Sequence, residues 1–127
     1  MPRPILDESQ IHPAIRSKIA GNQQAIVQEV MKAAAANDVL VVGMGQNPFP
    51  KKARQALDQA GQAYRYLEYG SYFSAWHERN ALKMWTGWPS FPMVFVKGVL
   101  VGGAADLQAL IGSGELQKML GQATMGL

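Results

Sequence analysis

The sequence predicts an α/β domain: a four-stranded mixed sheet flanked by helices. Three observations predict it. Val39-Leu40-Val41-Val42 is a continuous β-rich apolar run bounded by Gly43 and Gly45, the pattern of a strand covered on both faces. Patterned segments follow in the order helix, then βαβα, then ββα, so a parallel βαβ unit precedes an antiparallel hairpin. Lys97-Gly98 separates two apolar runs by two residues, the spacing of a tight hairpin turn.

Residues 1–22 read as an N-terminal extension, because Pro2, Pro4 and Pro13 interrupt regular structure. Within it Ile11, Ile15 and Ile19 are four apart, which predicts a short helix over 13–20 with Pro13 in its first turn. The domain proper is expected over 23–120. It opens with a helix over 23–36, whose apolar face is Ile26, Val27, Val30, Met31 and Ala34. After the strand at 39–42, Asn47-Pro48 starts the next helix, since Asn is a favoured N-cap and Pro suits the first helical position. Ala53, Ala56, Leu57 and Ala60 form its buried face and Gly61 stops it. Tyr64 to Tyr69 gives a second strand. A helix from about Tyr72 to Trp85 is expected to bury Phe73, Trp76, Ala81 or Asn80, and Met84. Met93–Val96 and Val99–Val101 are the hairpin strands. Asp106–Ile111 and Glu115–Leu120 are short helices separated by Gly112-Ser113-Gly114, and 121–127 are expected to be a flexible tail.

Composition narrows the chemistry. The 127 residues hold no cysteine, which removes disulfides, thiolate nucleophiles and cysteine-ligated metals from this polypeptide. The two histidines, His12 and His77, have no carboxylate spacing around them that suggests a metal site. Twelve Lys and Arg against nine Asp and Glu give a net charge of +3. The basic residues are dispersed, so no nucleic-acid partner is expected. No apolar stretch approaches the length of a spanning helix, and Met-Pro-Arg-Pro lacks the pattern of a signal peptide. The expectation is a cytoplasmic protein with no membrane partner.

Three separated segments resemble the glutaredoxins of the thioredoxin-like fold. Asn47-Pro48-Phe49-Pro50-Lys51-Lys52-Ala53 stands where that family has Cys-Pro-Tyr/Phe-Cys and a basic residue. Thr86 to Gly98, with Trp88-Pro89-Ser90-Phe91-Pro92-Met93 at its centre, resembles the family's cis-proline segment. Gly102-Gly103-Ala104-Ala105-Asp106-Leu107 resembles its Gly-Gly-Cys-Asp-Asp-Leu segment. The leading helix and the Gly114-Glu115-Leu116 ending are similar to the monothiol branch.

The departures from the pattern decide what the resemblance implies. The nucleophilic cysteine's position is Asn47 and the resolving cysteine's is Pro50, so no catalytic residue is expected and thiol–disulfide exchange is excluded for this polypeptide alone. The same loss removes the monothiol branch's cluster ligand, so no iron–sulfur cluster and no required cofactor is expected. The family's glutathione groove maps onto Arg79, Phe91, Pro92, Gly103, Ala104, Ala105 and Asp106, with Lys83 one turn beyond Arg79. The family's lysine three positions before the nucleophile is Met44 here. Asn47 reads as a helix cap or as a neutral ligand contact. Trp76, Trp85, Trp88, Tyr69 and Tyr72 line a pocket or pack the core and rim. Met44 and Met93 form an apolar contact surface or fill the core. The leading reading is a non-catalytic module that binds a glutathione-like peptide or a protein partner in the remnant groove. A glutathione-dependent or thiol-independent enzyme, and a structural subunit of a larger complex, stand as alternatives.

Overall fold

The computed structural model describes residues 3–71 and 73–121. A 3₁₀ turn at Glu8–Gln10 is followed by α1 (Pro13–Ala20), α2 (Gln24–Ala36), β1 (Val39–Gly43), α3 (Pro48–Gln59), β2 (Arg65–Glu68), α4 (Trp76–Thr86), β3 (Met93–Val96), β4 (Val99–Gly102), α5 (Ala104–Ser113) and α6 (Glu115–Met119). The strands lie in the order β2-β1-β3-β4. β1 runs parallel to β2, pairing Val41 with Tyr66, and antiparallel to β3, pairing Val41 with Val94. The hairpin turn at Lys97-Gly98 has φ of 52° and 80°, the double positive φ that a two-residue connection favours.

Strand alternation divides the core between the two faces of the sheet. Leu40, Val42, Met93 and Phe95 pack with Val30, Ala34 and Leu82 from α2 and α4. Val39, Val41, Val94 and Val96 pack with Ala53, Leu57, Leu107 and Leu116 from α3, α5 and α6. All five β1 residues are buried, which is why the run reads as uniformly apolar. Burying each large aliphatic side chain stabilises the fold by about 1.5–3 kcal/mol.

The sequence pattern mislocates part of α4. The helix begins at Trp76, and Tyr72 and the tail beyond Gly121 lie outside the described residues. Phe73 precedes the helix and is 88% exposed, while Trp76, Met84 and Asn80 are also exposed. The inward stripe runs instead through Arg79 and Leu82, with Ala81 buried beside it. Met84 lies across the helix from that stripe, so its apolar character does not report burial. Met31 and Ala60 are exposed for the same reason of phase and helix end. α5 starts two residues before the expected Asp106, because Gly103 is its N-cap.

Candidate functional site

The site lies where the N-termini of α3 and α5 approach the loop before β3. At α3, Asn47 is extended at φ −111°, ψ 123° and caps the helix. Its Oδ1 accepts the Phe49 N–H at 2.9 Å, and its Nδ2 donates to the Phe91 carbonyl at 3.4 Å. Pro48 and Pro50 have no N–H to offer. Of the first three residues of α3, only Phe49 brings a backbone donor, and Asn47 takes it. The helix end that would stabilise an anion through its backbone is therefore satisfied from within.

Pro50 is a core residue. It is fully buried, and a Cβ built on Gly43 would stand 2.7 Å from its Cβ and 2.9 Å from the Tyr66 hydroxyl. Gly43 is thus the position that lets α3 close on β1. Met44 and Met93 are also buried, at 6% and 1% exposure, so they fill the core and form no contact surface. A lysine at Met44 would have to place its ammonium from within that core.

At the other end, the Phe91–Pro92 peptide bond is cis. Phe91 is buried, and Lys83 from α4 holds its ammonium 5.8 Å from the centre of the Phe91 ring. Gly103 packs beside Pro92 and the Trp88 indole, to which a Cβ on it would approach no closer than 3.6 Å. The Trp88 indole nitrogen is buried without a hydrogen-bond partner. Asp106 reaches back so that its Oδ2 accepts the Gly103 N–H at 3.0 Å. Gly102 has φ of 117°, and a side chain there would meet the Asp106 carboxylate. Ala104 is buried and Ala105 exposed.

The structure thus brings Asn47, Phe91, Pro92, Gly103 and Asp106 into a linked set, with Lys83 on its flank. Arg79 is placed differently. It is 6% exposed, and its Nη1 donates to the carbonyls of Tyr69 at 3.0 Å and Ser74 at 2.5 Å, bracing the β2–α4 connection. Trp76 stacks on His77 at 3.9 Å, and Trp85 lies 6.0 Å from Phe95 in a stacked arrangement. Tyr69 donates to Glu29 of α2. Burial first, and then that carboxylate, push the Tyr69 phenol well above its ordinary range.

A further group was not legible as a site in the sequence. Arg54 lies with its guanidinium carbon 4.1 Å from the centre of the Tyr66 ring, and Tyr66 donates to Glu68 at 2.9 Å. Burial, reinforced by the Glu68 carboxylate, pushes the Tyr66 phenol up to about 12. Tyr66 and Glu68 are two apart on one face of β2, and the packing of α3 against that strand brings Arg54 onto the Tyr66 ring.

The donor set does not fit an iron–sulfur cluster. The ligand position holds an amide already engaged on both its atoms, and no thiolate exists in the chain. Among the described residues there is no group of three or more side chains suited to a metal ion, and no helix is long and apolar enough to cross a membrane.

The glutaredoxin family model matches residues 39–101. The "Glutaredoxin-like protein" of Dictyostelium discoideum is 44% identical over 91 residues, covering 72% of this chain and 74% of that one. The "Probable monothiol glutaredoxin GrlA" of Legionella pneumophila is 31% identical over 80 residues, covering 63% and 86%. The crystal structure of oxidized glutaredoxin 2 from Chlamydomonas reinhardtii superposes with a TM-score of 0.68 at 32% identity, covering 81% of this chain and 97% of that one.

Proposed function

We propose a non-catalytic binding role for this chain, which belongs to the glutaredoxin family. It would act as a cysteine-less module whose groove takes a glutathione-like peptide, or an extended segment of a protein partner. The observation that carries this reading is the asymmetry of the site. The nucleophile's position is Asn47, whose amide is bound to Phe49 and Phe91, while the Phe91–Pro92 bond is cis and Asp106 accepts the Gly103 N–H. Thiol exchange needs an attacking thiolate, and a carboxamide cannot replace it. Peptide recognition by backbone groups has no such requirement.

In this reading the ligand lies along Phe91, Pro92, Gly103, Ala104, Ala105 and Asp106. Its anionic end turns toward α4, where Lys83 stands over Phe91 and Arg79 lies deeper. A peptide that pairs with the Phe91 carbonyl competes with the Asn47 amide for it. At 3.4 Å that bond is long, so displacing it costs little. The test is turnover of a mixed glutathione disulfide coupled to glutathione reductase. The expected rate is the uncatalysed background. Turnover above it in a clean preparation removes the non-catalytic reading, and binding of glutathione without turnover supports it.

A further inference from the structure

Beside Asn47, the β1–α3 loop, α3 and the end of β2 line an open cleft of about 390 Å³. Its walls include Gly45, Gln46, Asn47, Lys51, Arg54 and Glu68. A volume of this size suits a small ligand. It is lined by charges of both signs. Lys51 and Arg54 are three apart on α3 and share a face of the helix. Glu68 ends β2, with its Oε2 3.7 Å from where a Cβ on Gly45 would stand.

These charges are not matched to each other. Among the described residues neither Lys51, Arg54 nor Glu68 belongs to an ion pair; the pair found is Lys97 with Asp38, at 2.9 Å at the opposite end of the sheet. The Arg54 Nε is shielded from solvent and has no hydrogen-bond partner. A buried orphan donor of this kind is uncommon and calls for a partner. Tyr66 holds the arrangement: its ring lies under the guanidinium and its hydroxyl donates to Glu68 Oε1. The α3 backbone cannot serve an anion here, since Pro48 and Pro50 lack N–H groups and Asn47 takes that of Phe49.

We propose that this cleft binds the zwitterionic head of a free amino acid, with Lys51 and Arg54 on the carboxylate and Glu68 on the ammonium. An arginine fork with a second cation is suited to a carboxylate. Glu68 penalises an anion that brings no donor of its own. The site is separate from the Phe91–Asp106 groove and shares only Asn47 with it.

The experiment is ¹H–¹⁵N shift mapping of the full chain titrated with L-glutamine, acetate or methylammonium as probes. L-Glutamine should shift the amides of Gly45, Gln46, Lys51 and Arg54 saturably, and acetate and methylammonium should each bind about tenfold more weakly. Lys51→Gln is at an exposed position, keeps the fold, and should weaken L-glutamine about tenfold. Glu68→Gln should abolish the preference for L-glutamine over acetate. Arg54→Lys adds a check on the guanidinium, and if it fails to fold the two exposed variants still decide. No saturable shift at these four amides, equal binding of acetate and L-glutamine, or an unchanged Lys51→Gln overturns the proposal. Amides of Gly103 to Asp106 report the groove independently, so either site can fail alone.

Discussion

The N-termini of α3 and α5 face the same groove, yet they are finished in opposite ways. α3 is capped by a side chain: Asn47 accepts the Phe49 N–H, and prolines stand at Pro48 and Pro50. α5 is capped by Gly103, which has no side chain to fold back, so its first-turn donors receive no side-chain cap. Asp106 takes the Gly103 N–H, and the N–H groups of Ala104 and Ala105 remain at the groove end of the helix. The first terminus is closed by its own residues and the second stays open to a ligand. Replacing a cysteine by asparagine in this setting removes more than a thiol. The asparagine also satisfies the helix end within the fold.

The comparison breaks most visibly through packing at the closed end. Gly43→Ala places a Cβ 2.7 Å from Pro50 Cβ, and the neighbour is a rigid ring. Urea unfolding should lose about 2–3 kcal/mol, the upper range for overpacking. Ala105→Ser at the exposed start of α5 should leave stability within about 0.5 kcal/mol. Equal effects at the two positions would erase the contrast.

A middle-sized effect comes from the cap itself. Asn47→Ala should cost about 1 kcal/mol, whereas Asn47→Ser and Asn47→Asp should stay within a few tenths. If alanine is as stable as asparagine, the closed end is not held by its cap.

How much of this was legible in the sequence follows from which signals are local. Asn47-Pro48 announced the α3 cap, and Lys97-Gly98 announced the hairpin, because both depend on a few adjacent residues. The resemblance of the Trp88–Met93 segment to the family's cis-proline segment matched the cis Phe91–Pro92 bond for a similar reason. The inward face of α4 was misjudged because Phe73, Trp76 and Met84 are apolar but fall off the stripe of Arg79 and Leu82. Burial of an arginine is invisible to a hydrophobic pattern; its reason is the pair of carbonyls at Tyr69 and Ser74. Pro50 as a core residue depends on Gly43 across the β1–α3 junction, and the Arg54–Tyr66–Glu68 group on how α3 packs against β2. Neither is written in any single stretch.

A smaller effect appears with pH. The Tyr66 phenol is raised to about 12 by burial and Glu68, against an unfolded value near 10. Folding favours its neutral form, so this contribution is complete below about pH 10 and declines as pH rises toward 12. Tyr69, raised by burial and Glu29, and Tyr64, raised by burial and Asp58, act in the same direction. Tyr66→Phe should flatten part of the alkaline loss in denaturation midpoints over that window. An alkaline slope identical to the parent protein's would show that Tyr66 does not titrate as its surroundings dictate.

The smallest change in stability is the most informative about the open end. Gly103 has φ −101°, a conformation open to serine, and a Cβ there would have 3.6 Å or more of room. Gly103→Ser should therefore give α5 a side-chain cap and a few tenths of a kcal/mol of stability. It should weaken a ligand anchored on those donors, since the serine hydroxyl competes for them.

The central claim is that the groove binds without thiol chemistry, and one measurement addresses it most directly. Reduced glutathione is titrated into the ¹⁵N-labelled chain to millimolar concentration, and amide shifts are mapped. The account predicts saturable shifts at Phe91, Gly103, Ala104, Ala105 and Asp106, with weaker ones at Arg79, and a reduced effect in Gly103→Ser. Shifts that are absent, or that spread without saturation away from these residues, would contradict it.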